Sequence, residues 1–209
     1  MDNFGDLLDF VSYANIDRAR TFAKESGCLM AAGNHEFSLY VGEAFEDAAY
    51  RAQSYAKVQG AFGNNIRFAN REKNGLNMVV IDNGYYLFDK WQLEALKKEI
   101  EKGLPILLFM HCPLYAEDLY NKLMERSGGR SMVSQVAVPV EKMSHYNEYR
   151  FRQQKADEIT IETVEYIKSQ PLIKAIFVGH YHSDHDSTVT PNLPQYVTGI
   201  PTIRKITVK

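Results

Sequence analysis

The fold is decided by the stretch Ile106-Leu107-Leu108-Phe109-Met110-His111-Cys112-Pro113, an unbroken apolar run that ends in polar residues. A short run with no polar position is typical of a strand buried on both faces, as in a parallel sheet. Pro113 has no backbone N–H to donate and breaks the ladder. The stretch therefore predicts an α/β protein in which His111 stands at the end of a central strand.

Similar apolar runs alternate with amphipathic stretches along the chain, which is the pattern of an α/β protein rather than of a β-sandwich. An Asn-Gly pair between two short apolar segments predicts a hairpin turn at Asn74-Gly75. Further strands are predicted at 29–32, 66–69, 76–81, 175–178 and 203–208. Helices are predicted at 44–58, 91–102, 117–126 and 156–168.

Length and composition place limits on the function. We expect a single domain over residues 1–209, because a chain of this length can bury one substantial core. The 24 basic residues nearly balance the 26 acidic ones, which excludes the footprint of a general nucleic-acid binder and favours a small substrate. No membrane span is predicted. Cys28 and Cys112 lie in or beside apolar runs, as buried free thiols do, and favour a reducing, cytoplasmic compartment.

Polar residues are concentrated in four short clusters, three of which come just after an apolar run. These are Gly5-Asp6-Leu7-Leu8-Asp9 near the start of the chain and, directly after the apolar runs 29–32, 106–110 and 175–178, Gly33-Asn34-His35-Glu36, His111-Cys112-Pro113 and Gly179-His180-Tyr181-His182. Because the strand ends of an α/β fold meet at one edge, we expect the clusters to converge. A carboxylate, a carboxamide and several imidazoles form a mixed oxygen and nitrogen ligand set, which suits Mn, Fe or Zn better than Ca or Mg.

The same residues could serve two metal ions. Asp6 could bridge two ions with its two carboxylate oxygens, and His180 and His182 could reach two adjacent ions from one strand-end loop. Two-metal sites stabilise both the attacking and the leaving oxygen of an in-line displacement at phosphorus. The predicted reaction is therefore the hydrolysis of a phosphate ester.

In their order, the motifs Gly-Asp-x-x-Asp, Gly-Asn-His-Glu, a strand ending in His and Gly-His-x-His resemble those of the calcineurin-like metallophosphoesterase superfamily, from Gly5 to His182. The resemblance implies a sandwich of two mixed β-sheets flanked by helices. It also implies a dinuclear centre of Mn, Fe or Zn, whose bound hydroxide attacks a small phosphate monoester or diester. By the resemblance Asp6 would bridge the ions, Asn34, His111 and His180 would complete one site, and His182 would belong to the other.

The resemblance also implies a catalytic pair that binds no metal. His35 would approach the substrate as a general acid or stabilise developing negative charge. Glu36 would orient His35 by accepting its second ring N–H. Asp9 would have a structural role and hold the loop around Asp6.

Superfamily members also share an N-terminal strand that ends in Asp-x-His, a motif that does not occur in this sequence. The resemblance thus implies that the first strand is lacking and that one metal site is incomplete. Loss of a central strand exposes backbone edges, so a strand borrowed from a second copy, and hence a homodimer, is one expectation. The alternative function is a truncated or degenerate relative that binds one metal and turns over little substrate.

Two features leave alternatives open. The segment 114–155 could be an insertion that selects the substrate, or a solvated surface excursion. Four arginines could clamp a substrate phosphate or face solvent: Arg126, Arg130, Arg150 and Arg152.

A second resemblance competes for the last cluster. Residues 180–185 also fit His-x-His-x-Asp-His, which resembles the metallo-β-lactamase superfamily. Only 24 residues follow His185, none of them histidine, so the downstream ligands of that fold are missing. We therefore expect Asp184 and His185 to be turn or surface residues.

Overall fold

The computed structural model describes residues 5–37, 48–129, 135–200 and 202–207. The strands are Phe68–Lys73 (β1), Leu76–Ile81 (β2), Ile106–Phe109 (β3), Ile173–Val178 (β4), His185–Thr190 (β5) and Leu193–Val197 (β6). The helices are Tyr13–Ser26 (α1), Ala48–Gln59 (α2), Lys90–Glu101 (α3), Glu117–Arg126 (α4), Glu148–Gln154 (α5) and Glu158–Ser169 (α6). Short 3-10 turns cover His35–Phe37 and Val140–Met143.

The six strands form one mixed sheet in the order β1-β2-β3-β4-β6-β5. Strands β2, β3, β4 and β6 run parallel, and β1 and β5 pair antiparallel at the two edges. Every residue of β3 is buried, as expected for a central parallel strand covered on both faces. The parallel arrangement brings the carboxyl ends of β2, β3 and β4 to one edge, where the polar clusters after β3 and β4 meet.

The predicted hairpin is confirmed in β1 and β2. Its turn residues, Asn74 and Gly75, have φ angles of 53° and 76°. Two consecutive positive φ angles are those of a type I′ turn, whose twist matches that of the flanking strands. The turn therefore fixes the register in which β1 lies against β2.

One face of the sheet packs against α3, α4 and α6. Alternate residues such as Val79, Leu108 and Ile176 point into this core, where they meet Leu96 of α3 and Val164 of α6. Helix α3 begins at a capping box and confirms the helix predicted at 91–102, and α4 confirms the one at 117–126. These helices belong to the crossover connections that keep the central strands parallel, and their apolar faces are buried against the sheet.

Residues 29–32, predicted as a strand, form a buried layer on the other face of the sheet. Leu29 and Ala31 pack against the sheet, and Met30 and Ala32 pack against α1 and α2. Only Met30 forms a strand-like bridge. The Asn64 side chain accepts from the Met30 N–H at 3.0 Å and donates to the Met30 carbonyl at 2.9 Å, so an amide replaces a ladder partner.

Other elements differ from the prediction. Helices α1 and α5 were not expected from the pattern. Residues 203–207, part of a predicted strand, are not strand, and residue 208 lies outside the described residues, as do residues 44–47 of the helix predicted at 44–58. None of the helices in the described ranges has the length and apolar character that a membrane span requires. The predicted class, an α/β protein with a mixed sheet flanked by helices, is confirmed, and the described residues contain a single sheet.

Candidate metal centre

Four of the predicted ligands meet at the carboxyl edge of β3 and β4. The Nε2 atom of His111 lies 3.0 Å from Asp6 Oδ2, 3.0 Å from Asn34 Oδ1 and 3.1 Å from His180 Nδ1. His111 follows β3 and His180 follows β4, and the Gly179 N–H donates to the His111 carbonyl at 3.1 Å. This bond extends the pairing of the two strands into their loops and brings the two imidazoles side by side.

The four side chains fit a metal ion. One ring nitrogen of a histidine makes a single hydrogen bond, as donor or as acceptor, so His111 Nε2 cannot satisfy three polar neighbours. A cation among a carboxylate oxygen, an amide oxygen and two imidazole nitrogens satisfies them together. Cys112 is also close, because one donor atom each of His111, Cys112 and His180 lies within 4.8 Å of the others. The sequence predicted Cys112 as a buried thiol, which is confirmed, but not its place beside the centre.

The protonation states suit metal binding. Burial opposes the ionisation of Asp6, but the charge and hydrogen bond of His111 hold the pKa of that carboxyl well below its usual range. Desolvation and the nearby His111 lower the pKa of His180 to about 3. Asp6 is therefore ionised and His180 neutral at pH 7, the forms in which these side chains bind metal ions.

Tyr86 is a site residue that the sequence analysis missed. Its hydroxyl oxygen lies 3.1 Å from His180 Nε2, on the opposite side of the ring from His111. When Nδ1 of His180 binds an ion, Nε2 carries the ring proton and donates to Tyr86. Tyr86 thus selects the tautomer of His180, a role that no local sequence pattern reveals.

Three of the predicted ligands have a left-handed backbone. The φ angles are 54° at Asp6, 70° at His180 and 53° at His182. A non-glycine residue in this region costs about 1–3 kcal/mol, and such residues cluster at functional sites. The contacts around these loops hold the ligands in conformations that the chain alone would disfavour.

Glu36 holds the loop that carries Asp6. Its buried carboxylate accepts from four backbone N–H groups: Asp6 at 2.8 Å, Leu7 at 2.7 Å, Leu8 at 3.0 Å and Gly33 at 2.7 Å. Complete burial and the Asp6 carboxylate raise the pKa of Glu36 to about 7, against the opposing effect of these N–H donors. Glu36 therefore connects the first polar cluster to the second through the backbone.

This arrangement corrects two expected roles. The Nδ1 atom of His35 lies 2.6 Å from the Asp9 carbonyl oxygen and 3.6 Å from Asp9 Oδ1. Asp9, expected to hold the loop around Asp6, thus contacts His35, whereas Glu36, expected to orient His35, holds that loop. The physical reason is burial. The buried Glu36 carboxylate must satisfy the buried backbone N–H groups, so the His35 ring turns to the exposed Asp9, whose backbone carbonyl lies closest.

His35 lies at the surface of the site. Its backbone N–H donates to Asp6 Oδ1 at 2.9 Å, which ties it to the ligand cluster. Burial opposes protonation of the ring, but Asp6 and the Asp9 carbonyl raise the pKa of His35 above its usual value. Because the Asp9 carbonyl holds Nδ1, Nε2 is the ring nitrogen that could meet a substrate.

His182 is not part of the contacts around His111 Nε2. It is exposed, and it lines the same cavity as Asp6 and His180. This cavity has a volume of about 780 Å³, and its walls on the sheet side are apolar. Those walls include Leu76, Met78, Leu107, Phe109 and Phe177.

The residues of the competing metallo-β-lactamase pattern have structural contacts. Asp184 accepts from the Gly199 N–H at 2.9 Å. His185 lies 3.2 Å from Asp118 and 3.1 Å from Lys122, both on α4. These contacts agree with the expected turn and surface roles.

Three of the four arginines of the segment 114–155 lie in the described residues. Arg126 donates to Ser183 Oγ at 3.3 Å, next to His182. Arg150 and Arg152 lie on α5, and Arg130 lies outside the described residues. Selection of a substrate by this segment stays a prediction.

Comparison with protein-family models and with curated proteins gives no match. Among solved structures, the chain is similar to a dimetal phosphatase from Danio rerio, at 13% identity and a TM-score of 0.50, over 94% of this chain and 70% of that one.

Two further similarities come with lower TM-scores. A purple acid phosphatase from yellow lupin (Lupinus luteus) is 13% identical, with 95% of this chain and 37% of that one covered and a TM-score of 0.47. A putative 5′-nucleotidase from Staphylococcus aureus is 13% identical, with 95% and 39% covered and a TM-score of 0.41. The chain spans less than half the length of these two proteins. At such identity the likeness to the Danio rerio structure shows the fold alone, and it confirms the predicted metallophosphoesterase-like α/β fold.

Proposed function

We propose that this protein is a metal-dependent phosphoesterase that hydrolyses small phosphate monoesters or diesters. The observation that carries the proposal is the convergence of Asp6, Asn34 and His180 on Nε2 of His111. A mixed oxygen and nitrogen ligand set of this kind suits Mn, Fe or Zn. The similarity of the fold to a dimetal phosphatase supports the same chemistry.

Asp6, Asn34, His111 and His180 would hold one ion, and Asp6 with His182 would contribute to a second. Bound metal would supply Lewis acidity toward the phosphoryl oxygens and would acidify water. The protein's own contribution is to fix these side chains at the edge of a rigid parallel sheet, so that little reorganisation is needed during the reaction.

His35 would assist the departure of the alcohol. Against the opposing effect of burial, Asp6 and the Asp9 carbonyl raise the pKa of His35, which favours the protonated ring, and the Asp9 carbonyl holds Nδ1 at 2.6 Å. The imidazolium would donate its Nε2 proton to the leaving oxygen as the bond to phosphorus breaks.

The proposal is tested by hydrolysis after metal removal and reloading. The protein is stripped with a chelator, reloaded with Mn²⁺, Zn²⁺ or Fe²⁺, and assayed on p-nitrophenyl phosphate and bis(p-nitrophenyl) phosphate. We expect the wild type to release nitrophenol only when metal is bound. We expect His111→Ala to lose both this activity and the ability to retain the metal. Absence of turnover by the metal-loaded wild type on both esters would contradict the proposal.

The position of His182 favours a second candidate, a protein that binds one ion and turns over little substrate. Its ring is exposed and separate from the contacts around His111, so the second site has fewer convergent ligands than the first. One tightly bound ion per chain with no hydrolysis of either ester would support this candidate over the enzyme.

A further inference from the structure

Asn83 is a fully buried amide directly beneath the ligand loop. Its Oδ1 accepts from the backbone N–H of His111 at 3.0 Å and from that of Cys112 at 2.8 Å. Its Nδ2 donates to the Cys112 carbonyl at 2.7 Å. One side chain thus satisfies three backbone groups at the point where the chain leaves β3.

The turn that carries Asn83 is itself held on both sides. Asp82 accepts from Arg51 at 3.0 Å and from the Gly84 N–H at 2.9 Å. Gly84 packs so closely on Gly33 that an added Cβ would lie 2.5 Å from the Gly33 carbonyl carbon. Asn83 therefore projects from a fixed support that also touches the loop of the second polar cluster.

We propose that Asn83 is a positioning residue, which aims the His111 imidazole at the metal centre by clamping the backbone of His111 and Cys112. The inference rests on the proposed function, because it concerns the metal ligands of that site. Only a side chain with both an acceptor and a donor makes all three bonds. An aspartate at this position could accept but not donate when ionised, and an alanine would leave three buried backbone groups unsatisfied.

Gln195 provides a matched control. It is also a fully buried amide, and it clamps the same segment three residues farther on, accepting from the Leu114 N–H at 2.8 Å and donating to the Leu114 carbonyl at 3.0 Å. Loss of Gln195 removes comparable hydrogen bonds to the backbone but leaves the backbone of the ligand His111 untouched. The comparison separates positioning of His111 from general support of the segment.

The test is Co²⁺ binding by the chelator-stripped protein. Calorimetry measures the affinity, and the visible d–d absorption of the bound ion reports its coordination. We expect Asn83→Ala to weaken Co²⁺ binding by about 10- to 100-fold, the usual effect of removing a group that orients a ligand, and to alter the spectrum. We expect Gln195→Ala to leave both unchanged. Thermal unfolding of the metal-free variants checks that the two substitutions perturb the fold similarly.

A second variant keeps the test decisive if Asn83→Ala does not fold. Asn83→Asp retains the two accepted bonds, and we expect its Co²⁺ affinity to lie between those of the wild type and Asn83→Ala. Wild-type affinity and spectrum in a folded Asn83 variant would overturn the inference, as would equal weakening in Gln195→Ala. Failure of the wild type itself to bind Co²⁺ would instead overturn the proposed metal centre.

Discussion

The adjacent residues His35 and Glu36 face opposite sides of one turn. Glu36 points into the interior and binds four backbone N–H groups, while the half-exposed His35 rests on the Asp9 carbonyl. Because the two neighbours point in opposite directions, one short motif could support the backbone with Glu36 and meet a substrate with His35. At the scale of residues, the two side chains should therefore fail in different ways when they are changed.

Glu36→Gln should destabilise the metal-free protein. The amide NH₂ would face N–H donors where a carboxylate oxygen accepted two of them, so we expect a loss of about 3 kcal/mol or more in the free energy of unfolding. Urea unfolding in the presence of chelator measures it. Glu99→Gln is the control, since the Glu99 carboxylate is also buried and accepts from Asn77 at 2.8 Å. An equal effect of both substitutions would contradict the role given to Glu36.

His35→Ala should reduce turnover and leave the metal in place. Loss of a positioned general acid typically costs about 10²- to 10⁴-fold in rate. Metal analysis and turnover on a nitrophenyl ester are compared with those of His185→Ala, in which another half-buried histidine beside a carboxylate is removed. Parallel loss of metal in His35→Ala would show that the residue supports the ligands rather than the reaction.

The sequence predicted the ligands better than the residues that hold them. Asn34, His111 and His180 could be found because each follows an apolar run, and Asp6 because it belongs to the Gly-Asp-x-x-Asp motif. Asp6, Asn34 and His180 come together on His111 Nε2. Tyr86 could not be found, because its hydrogen bond to His180 joins positions far apart in the chain. Asn83 was missed for the same reason. Glu36 and Asp9 were identified from the sequence, but their contacts were predicted wrongly, because these depend on where the fold brings backbone groups together.

At the scale of elements, the site depends on a close crossing of two loops at Gly33 and Gly84. Gly84→Ala would place a methyl group 2.5 Å from the Gly33 carbonyl carbon, inside the van der Waals distance. We expect a destabilisation of about 1–3 kcal/mol together with weaker Mn²⁺ binding, since the loop that carries Asn34 must move.

The control for this substitution is Gly63→Ala, because Gly63 is exposed and an added Cβ there would meet nothing within 4 Å. Urea unfolding and Mn²⁺ titration of both variants make the comparison. Wild-type behaviour of Gly84→Ala would show that the crossing tolerates a wider spacing.

Elements with strong local signals were predictable. The hairpin is fixed by Asn74-Gly75, and α3 is marked by its periodic apolar face. Helix α1 was missed because it buries only Ile16 and Ala19, too few for a clear period. Residues 203–207 have a strand-like composition, but local preference does not make a strand without a pairing partner.

At the scale of the whole molecule, the proposed ion would join parts of the chain that are distant in sequence. Asp6 and Asn34 belong to the layer beside the sheet, whereas His111 and His180 extend from the sheet itself. An ion held by all four would couple the two layers. Binding should therefore stabilise the fold as a whole and not only the loops.

Metal removal should lower the stability of the entire protein. At a free Mn²⁺ concentration 100 times the Kd, one bound ion stabilises the folded state by about 2.7 kcal/mol. Thermal or urea unfolding with and without Mn²⁺ measures this difference, and we expect His111→Ala to abolish it. Equal stabilisation of the variant would indicate that Mn²⁺ binds elsewhere.

The most direct test of the metal centre is a crystal structure of the Mn²⁺-loaded protein with an anomalous difference map. We expect a strong peak coordinated by Asp6, Asn34, His111 and His180, with any second peak between Asp6 and His182. A metal-loaded crystal without a peak at His111 Nε2, or with the ion bound by other residues, would contradict this prediction.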